Sequence, residues 1–207
     1  MMRQQRVLYQ AASWCLGYPD EELLGRVPLI RAALAEFGGL GGAFAAVLDR
    51  LASRPLAEVQ AGYVQEFDLS RRHALHLSYW TDGDTRRRGE VLARFKRVYR
   101  DSGMLVNTRG ELPDYLPMVL EFAATVDLEA GRELLIQYRA SLEMLRLALV
   151  DDGLAHASIL QAICGTLPGA SPADRQEVMK MAGLGPPAES VGLEPYDPRL
   201  LPMQGRH

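Results

Sequence analysis

His73 and His76 are the one close pair among the four histidines of the chain. Three residues apart, they would share a face if the stretch were helical and could supply half of a metal site. No Cys-x-x-Cys and no His-Glu-x-x-His accompanies them, so two polar residues beside a groove is the plainer interpretation. Ser78 follows His76 closely, but no glycine-flanked elbow surrounds it, as an activated serine would require. Cys15 and Cys164 each sit in an apolar helical stripe, where a thiol is usually inert. They are expected to be unpaired buried thiols of a reducing compartment. Glu66 and Asp68 form a carboxylate pair of a kind that helix surfaces carry routinely. Gly38, Gly39, Gly41 and Gly42 lack the Lys-Ser/Thr of a phosphate loop and read as a flexible joint. Arg86, Arg87 and Arg88 could meet a phosphate. However, the net charge is −3, the sequence pI is about 5.8 and no aromatic ladder interleaves with them. A solvated helix face is expected instead, with no role for nucleic acid. No catalytic constellation emerges, and the chain is not expected to be an enzyme.

The unusual segment is Glu111-Leu112-Pro113-Asp114-Tyr115-Leu116-Pro117, followed by Glu121. Asp114 is expected to cap the next helix. Pro117 would fall in its first turn, where a missing N–H costs little. The segment also sets carboxylates beside Leu and Tyr side chains. An apolar patch rimmed by acids suits a peptide that is apolar with basic flanks. Glu66, Asp68, Asp114 and Glu121 are the candidate rim, and Tyr63, Phe67, Tyr115 and Leu116 the candidate floor. Charge reversal at Asp114 and Glu121 is expected to weaken binding without unfolding the chain.

The elements that must position these residues are helical. Val7, Leu8, Ala11, Cys15 and Leu16 share one face of a first helix, ended by Gly17 and Pro19, and Asp20 is the expected cap of the next. Pro28 is expected to split that second region. Further stripes run through Phe44, Val47, Leu48 and Leu51; through Val59, Tyr63 and Phe67; and through Val91, Leu92, Phe95, Val98 and Tyr99, closed by Gly103. Leu116, Val119, Leu120 and Ala123 make another. A bundle-type seam follows in Leu135, Tyr138, Leu142, Leu145 and Leu149. Ile159, Leu160, Ile163, Cys164 and Leu167 form the last strong stripe, with a short helix expected over 173–182. From 73 to 80, Leu75, Leu77 and Tyr79 alternate like a strand, but no partner strand is evident, so a short helix or extended loop is expected.

The 207 residues suit one all-α domain, a bundle of about seven to nine helices over 1–184 with a Pro-rich mobile tail over 185–207. No apolar run approaches the roughly 20 residues of a membrane helix. The polar start, Met1 to Arg6, shows no signal peptide.

Three blocks, in order, resemble the respiratory nitrate reductase assembly chaperones, the NarJ type within the wider TorD-like group. The first is Tyr63-Val64-Gln65-Glu66-Phe67-Asp68. The second runs from Leu75-His76-Leu77-Ser78-Tyr79 through Gly83-Asp84-Thr85-Arg86-Arg87-Arg88-Gly89 to Phe95-Lys96 and Tyr99. The third is the 111–117 segment with Leu120-Glu121-Phe122, and Val191 to Tyr196 is a weaker echo. The resemblance implies an all-helical cytoplasmic protein without turnover chemistry. Such proteins bind the apo catalytic subunit of nitrate reductase by its N-terminal, signal-like segment and hold it ready for molybdenum cofactor insertion. The cofactor would go to the client, with none bound permanently here, and cofactor-delivery proteins are possible further partners. A chaperone for another molybdoenzyme, or a His-based metal-dependent helical enzyme, are the alternatives.

Overall fold

The structure, a computed structural model, describes residues 2–82, 87–103 and 110–183. The 185–207 tail, Arg86, and the weak echo over 191–196 lie outside the described residues. Eleven α-helices occur among the described residues, more than the seven to nine expected, in an all-α arrangement. Helix α1 (Met2–Leu16) buries Leu8, Tyr9, Ala12, Cys15 and Leu16, a stripe spaced by three and four. It forms the centre, packed against α7 (Leu116–Thr125) and also against α2 (Glu21–Ala35), α3 (Leu40–Ser53) and α10 (Ala157–Cys164). Three polar ties run along it: Arg6 to the Ala124 carbonyl, the Tyr9 hydroxyl with Thr166, and the Ser13 hydroxyl to the Pro117 carbonyl.

Asp20 caps α2, its Oδ1 accepting from the Leu23 N–H at 2.8 Å. Pro28 does not split this helix. The proline ring faces solvent, where the carbonyl it leaves unpaired can be hydrated, while Leu23, Val27, Ile30 and Leu34 keep one buried face on both sides of it. The glycine joint contracts to a tight turn in which Gly39 adopts φ +88°, and Gly41 and Gly42 already belong to α3.

Beyond α3 come α4 (Leu56–Tyr63), α5 (Leu77–Asp82) and α6 (Arg87–Asp101). After α7 follow α8 (Leu128–Gln137) and α9 (Arg139–Asp151), then α10 and α11 (Arg175–Met181). The seam expected through Leu135 to Leu149 is one buried face shared by two helices. The chain breaks at Tyr138, with φ −100° and ψ 25°, and the Tyr138 ring packs on Phe95 at 5.0 Å. Cys15 and Cys164 are buried free thiols, pushed up to about 12 chiefly by burial. No helix among the described residues is long and apolar enough to cross a membrane.

Helices α7 and α8 approach closely at Gly131. A β-carbon there would stand 2.4 Å from the Ala123 Cβ and 2.6 Å from its Cα. Backbone cannot yield as a side chain can, so Gly131→Ala must push α8 away from α7. The expected outcome is a loss of about 1–3 kcal/mol of stability, read from urea unfolding.

Candidate peptide-docking site

The chain from Tyr63 to Tyr79 uses four kinds of backbone in succession. Helix α4 widens into a π turn over Val64–Asp68, then a 3₁₀ turn over Arg71–His73, a single antiparallel bridge at His76, and α5. The π turn turns Glu66 and Phe67 inward. The Glu66 carboxylate meets His156 Nδ1 and lies 3.6 Å from Arg50, while the Glu66 carbonyl faces His73 Nδ1 at 2.7 Å. Arg50 reaches it by lying over Gly62, where any β-carbon would collide with the guanidinium. His73 Nε2 in turn bonds Asp152 at 2.9 Å.

Above this polar node lies a run of rings. Phe67 packs edge-on against His156 at 5.0 Å and against Tyr63 at 4.9 Å, and Tyr63 meets Tyr18 edge-on at 5.4 Å. The Tyr63 hydroxyl donates to the Leu16 carbonyl at 3.0 Å, so its 3.1 Å bond with Tyr115 must be donated by Tyr115. Tyr18 is 51% exposed and Tyr115 partly so. Burial first, and then the nearby carboxylates of Glu111 and Asp68, push the Tyr115 hydroxyl up to about 12 and raise Tyr63 as well. Each of these acids is itself exposed and is followed by an exposed leucine, Leu69 and Leu112. The result is a tyrosine platform with an acidic rim. The pocket beneath it, lined by Cys15, Pro19, Arg50, Tyr63 and His156 among others, holds about 20 Å³, room for a water but not a ligand.

The platform's second wall is a clip. The Leu77 N–H donates to the Asp114 carbonyl at 3.0 Å, and the Leu116 N–H to the Leu75 carbonyl at 2.8 Å, with His76 opposite Tyr115. The strand-like alternation of Leu75 and Leu77 is thus real over three residues, and its partner is the 114–116 segment. Asp114, fully buried, accepts from the Ser78 N–H at 3.0 Å and the Ser78 hydroxyl at 2.6 Å. Its other oxygen is 3.5 Å from His76 Nδ1. Burial alone would raise this carboxyl; the contacts with His76 and Ser78 outweigh burial and hold it below the usual carboxylate range.

The profile of the nitrate reductase delta subunit family matches residues 32–154, from within α2 to just past α9. The chain belongs to this family. It is 31% identical to the probable nitrate reductase molybdenum cofactor assembly chaperone NarJ of Bacillus subtilis, over 79% of this chain and 89% of that one. It is 42% identical to the nitrate reductase-like protein NarX of Mycobacterium tuberculosis over 77% of this chain, which spans 24% of that relative's length. A solved Archaeoglobus fulgidus structure, described as a candidate redox enzyme maturation protein, shares the fold. Its TM-score is 0.57 at 21% identity, over 80% of this chain and 93% of that one. The NarJ relatives of Bacillus subtilis and Escherichia coli are named as molybdenum cofactor assembly chaperones.

Within the family's matched segment, the residues expected to form one site divide into two layers. Tyr115 and Asp68 reach the platform's surface, while Tyr63, bonded to Tyr115, is itself buried. Glu66, Phe67 and Leu116 are buried beneath it. Glu66 and Asp114 do not stand on an exposed rim: both carboxylates are drawn inward by donors, and charge reversal at Asp114 would strand an unpaired charge in the core. Nor does Asp114 cap α7, whose N-cap is Tyr115 with no side-chain bond; it reaches back to α5 instead. Glu121 is exposed on α7, roughly 7 Å of helical rise beyond Leu116. Tyr18 and Leu69 carried no signal in the sequence, and Glu111 and Leu112 stood in the 111–117 segment but not among the candidate rim and floor residues. Tyr18 lies between the helix-ending Gly17 and Pro19, an aromatic placed in a loop where no core stripe accounts for it. His73 and His76 diverge to different partners, and no group of three metal-ligating side chains occurs among the described residues.

Asp114→Asn is expected to cost about 1.5–3 kcal/mol at neutral pH, the scale of charge-assisted hydrogen bonds. The folded carboxyl is held below its ordinary value, so its contribution is present above that value. The gap between the two proteins should persist down to about pH 4 and close below it, as the folded carboxylate protonates. Urea unfolding of both proteins across that range checks this.

Proposed function

We propose that this chain binds the apo catalytic (alpha) subunit of a respiratory nitrate reductase by its N-terminal, signal-like segment and keeps it competent for molybdenum cofactor insertion. The names of the family's relatives support the client and the cofactor step. The observation that carries the binding mode is the tyrosine platform with Asp68 and Glu111 on its rim. Tyr115 donates its proton to Tyr63, so it turns an acceptor outward, and the two carboxylates are acceptors as well. Such a surface favours a cationic, donor-rich segment with an apolar face and repels an anionic one. Covering the exposed rings supplies about 25 cal/mol per Å² of apolar area before ordering costs. Cofactor would pass to the client in the cytoplasm, with nothing retained here, and cofactor-delivery proteins would be transient partners.

A synthetic peptide of the client's N-terminal residues is expected to bind saturably in a calorimetric titration, with a negative heat-capacity change. Asp68→Lys with Glu111→Lys, both on exposed positions, should weaken it at least tenfold and flatten its salt dependence while leaving the melting temperature within a few degrees. Failure of both the peptide and the intact subunit to bind would remove this client.

A further inference from the structure

We propose that His76 is a recognition residue of the platform, offering its Nε2 as a hydrogen-bond acceptor to an N–H donor of the bound segment, with Asp114 as the positioning residue behind it. This rests on the docking site proposed above, and it adds an atom that the family resemblance and the platform acids do not supply.

The geometry is specific. His76 and Tyr115 are opposite one another in the antiparallel bridge, so their side chains rise on the same face, and the rings lie 5.5 Å apart. Their neighbours Leu75, Leu77, Asp114 and Leu116 are all buried. The bridge therefore sorts the clip into an inner face of core residues and an outer face of one imidazole and one phenol. Within His76, Nδ1 is buried and has no hydrogen-bond partner, although the side chain as a whole is 28% exposed. The ring thus meets solvent on its Nε2 side. Facing the buried Nδ1 is Asp114 Oδ1, also buried and otherwise unpaired, 3.5 Å away. Each of these two atoms is the other's only answer. Among the described residues the facing charged and titratable groups are Asp114 behind the ring, Tyr115 beside it, and Tyr63, Asp68 and Glu111 beyond Tyr115.

A carboxylate accepts and cannot donate while ionised, so it selects the tautomer with the proton on Nδ1. That leaves a lone pair on Nε2. A carboxylate behind an imidazole also strengthens the outward nitrogen as an acceptor, as it does for histidines that bind metals. The acceptor faces the same side as the Tyr115 hydroxyl and completes a row that suits a ligand carrying several N–H groups.

Two measurements test this on the full chain. The first is the ¹⁵N ring spectrum of His76, which should report the Nδ1–H tautomer in the free protein and a shift of Nε2 on adding the client N-terminal peptide. An Nε2–H tautomer, or an Nε2 signal that stays still while the peptide binds, overturns the proposal. The second is calorimetry with His76→Phe, which keeps a ring against Tyr115 but has no nitrogen. Affinity should fall roughly tenfold, the scale of one hydrogen bond; the substitution also takes away the group facing Asp114 Oδ1, so the melting temperature should fall too and both proteins are titrated well below it. His76→Gln, which restores an acceptor, should recover part of it. Wild-type affinity in His76→Phe overturns the contact. A wild-type protein that binds no peptide overturns the docking site and the contact with it, while the tautomer still reports on the dyad by itself.

Discussion

A single carboxylate that never sees solvent fixes the register of the clip between 75–77 and 114–116. Asp114 joins two segments 36 residues apart by taking both the backbone N–H and the hydroxyl of Ser78 on one oxygen. An ionised carboxylate in a core is costly unless its acceptors are filled, so this arrangement tolerates little displacement. Once Asp114 is seated, the Leu77 and Leu116 amides find their carbonyls and His76 falls opposite Tyr115. The clip is only one bridge long. Too few backbone bonds run across it to hold it alone, and the buried carboxylate supplies what a longer ladder would elsewhere.

Glu66 does the same work on the other side of the platform. Its carboxylate and carbonyl gather Arg50, His156 and His73, which come from α3, from the residue that opens α10, and from the 3₁₀ turn. The rings of Tyr18, Tyr63, Phe67 and His156 pack on this node in a chain, edge to face at its two ends and tilted between Tyr63 and Phe67. A surface backed in this way would not need to order itself on meeting a ligand, and the saving in entropy would add to affinity. Glycine at 62 is the sequence's concession to the node, since only there does the guanidinium of Arg50 have room to pass.

The helical frame was legible because its signals are local and repeated. Leu8, Cys15 and Leu16, or Phe44, Val47 and Leu48, mark their buried faces within one or two turns, and Asp20 announces a cap within three residues of its partner. The 64–77 stretch was not legible in the same way. It consists of a five-residue π turn, a three-residue 3₁₀ turn and one bridge, each too short for a period to declare itself. Tyr138 breaks a helix without glycine or proline, and Pro28 sits in one without breaking it. The depth of the acids was illegible for a different reason. Whether a carboxylate is rim or core depends on its donors, and for Glu66 the decisive one is 90 residues away in the chain. From the sequence alone, Glu66 and Asp68 look alike; the fold buries one and exposes the other.

Ser78, Asp114 and His76 bring together the three residue types of a hydrolytic triad, and their connectivity explains why they make a joint instead. In a nucleophilic serine the hydroxyl proton goes to histidine, and the acid stands behind the histidine. Here the acid stands between the two. The Ser78 proton is committed to Asp114 at 2.6 Å, Ser78 is fully buried, and His76 faces the opposite oxygen. No electrophile could reach the buried serine, and its hydroxyl hydrogen points to a carboxylate rather than to an imidazole. The same carboxylate that forecloses nucleophilic chemistry holds the clip closed and leaves the imidazole and phenol side by side on its outer face. The groups that remain free there are flat rings, leucines and acceptors. That set matches the needs of holding a polypeptide segment, and none of it is spent on making or breaking a bond.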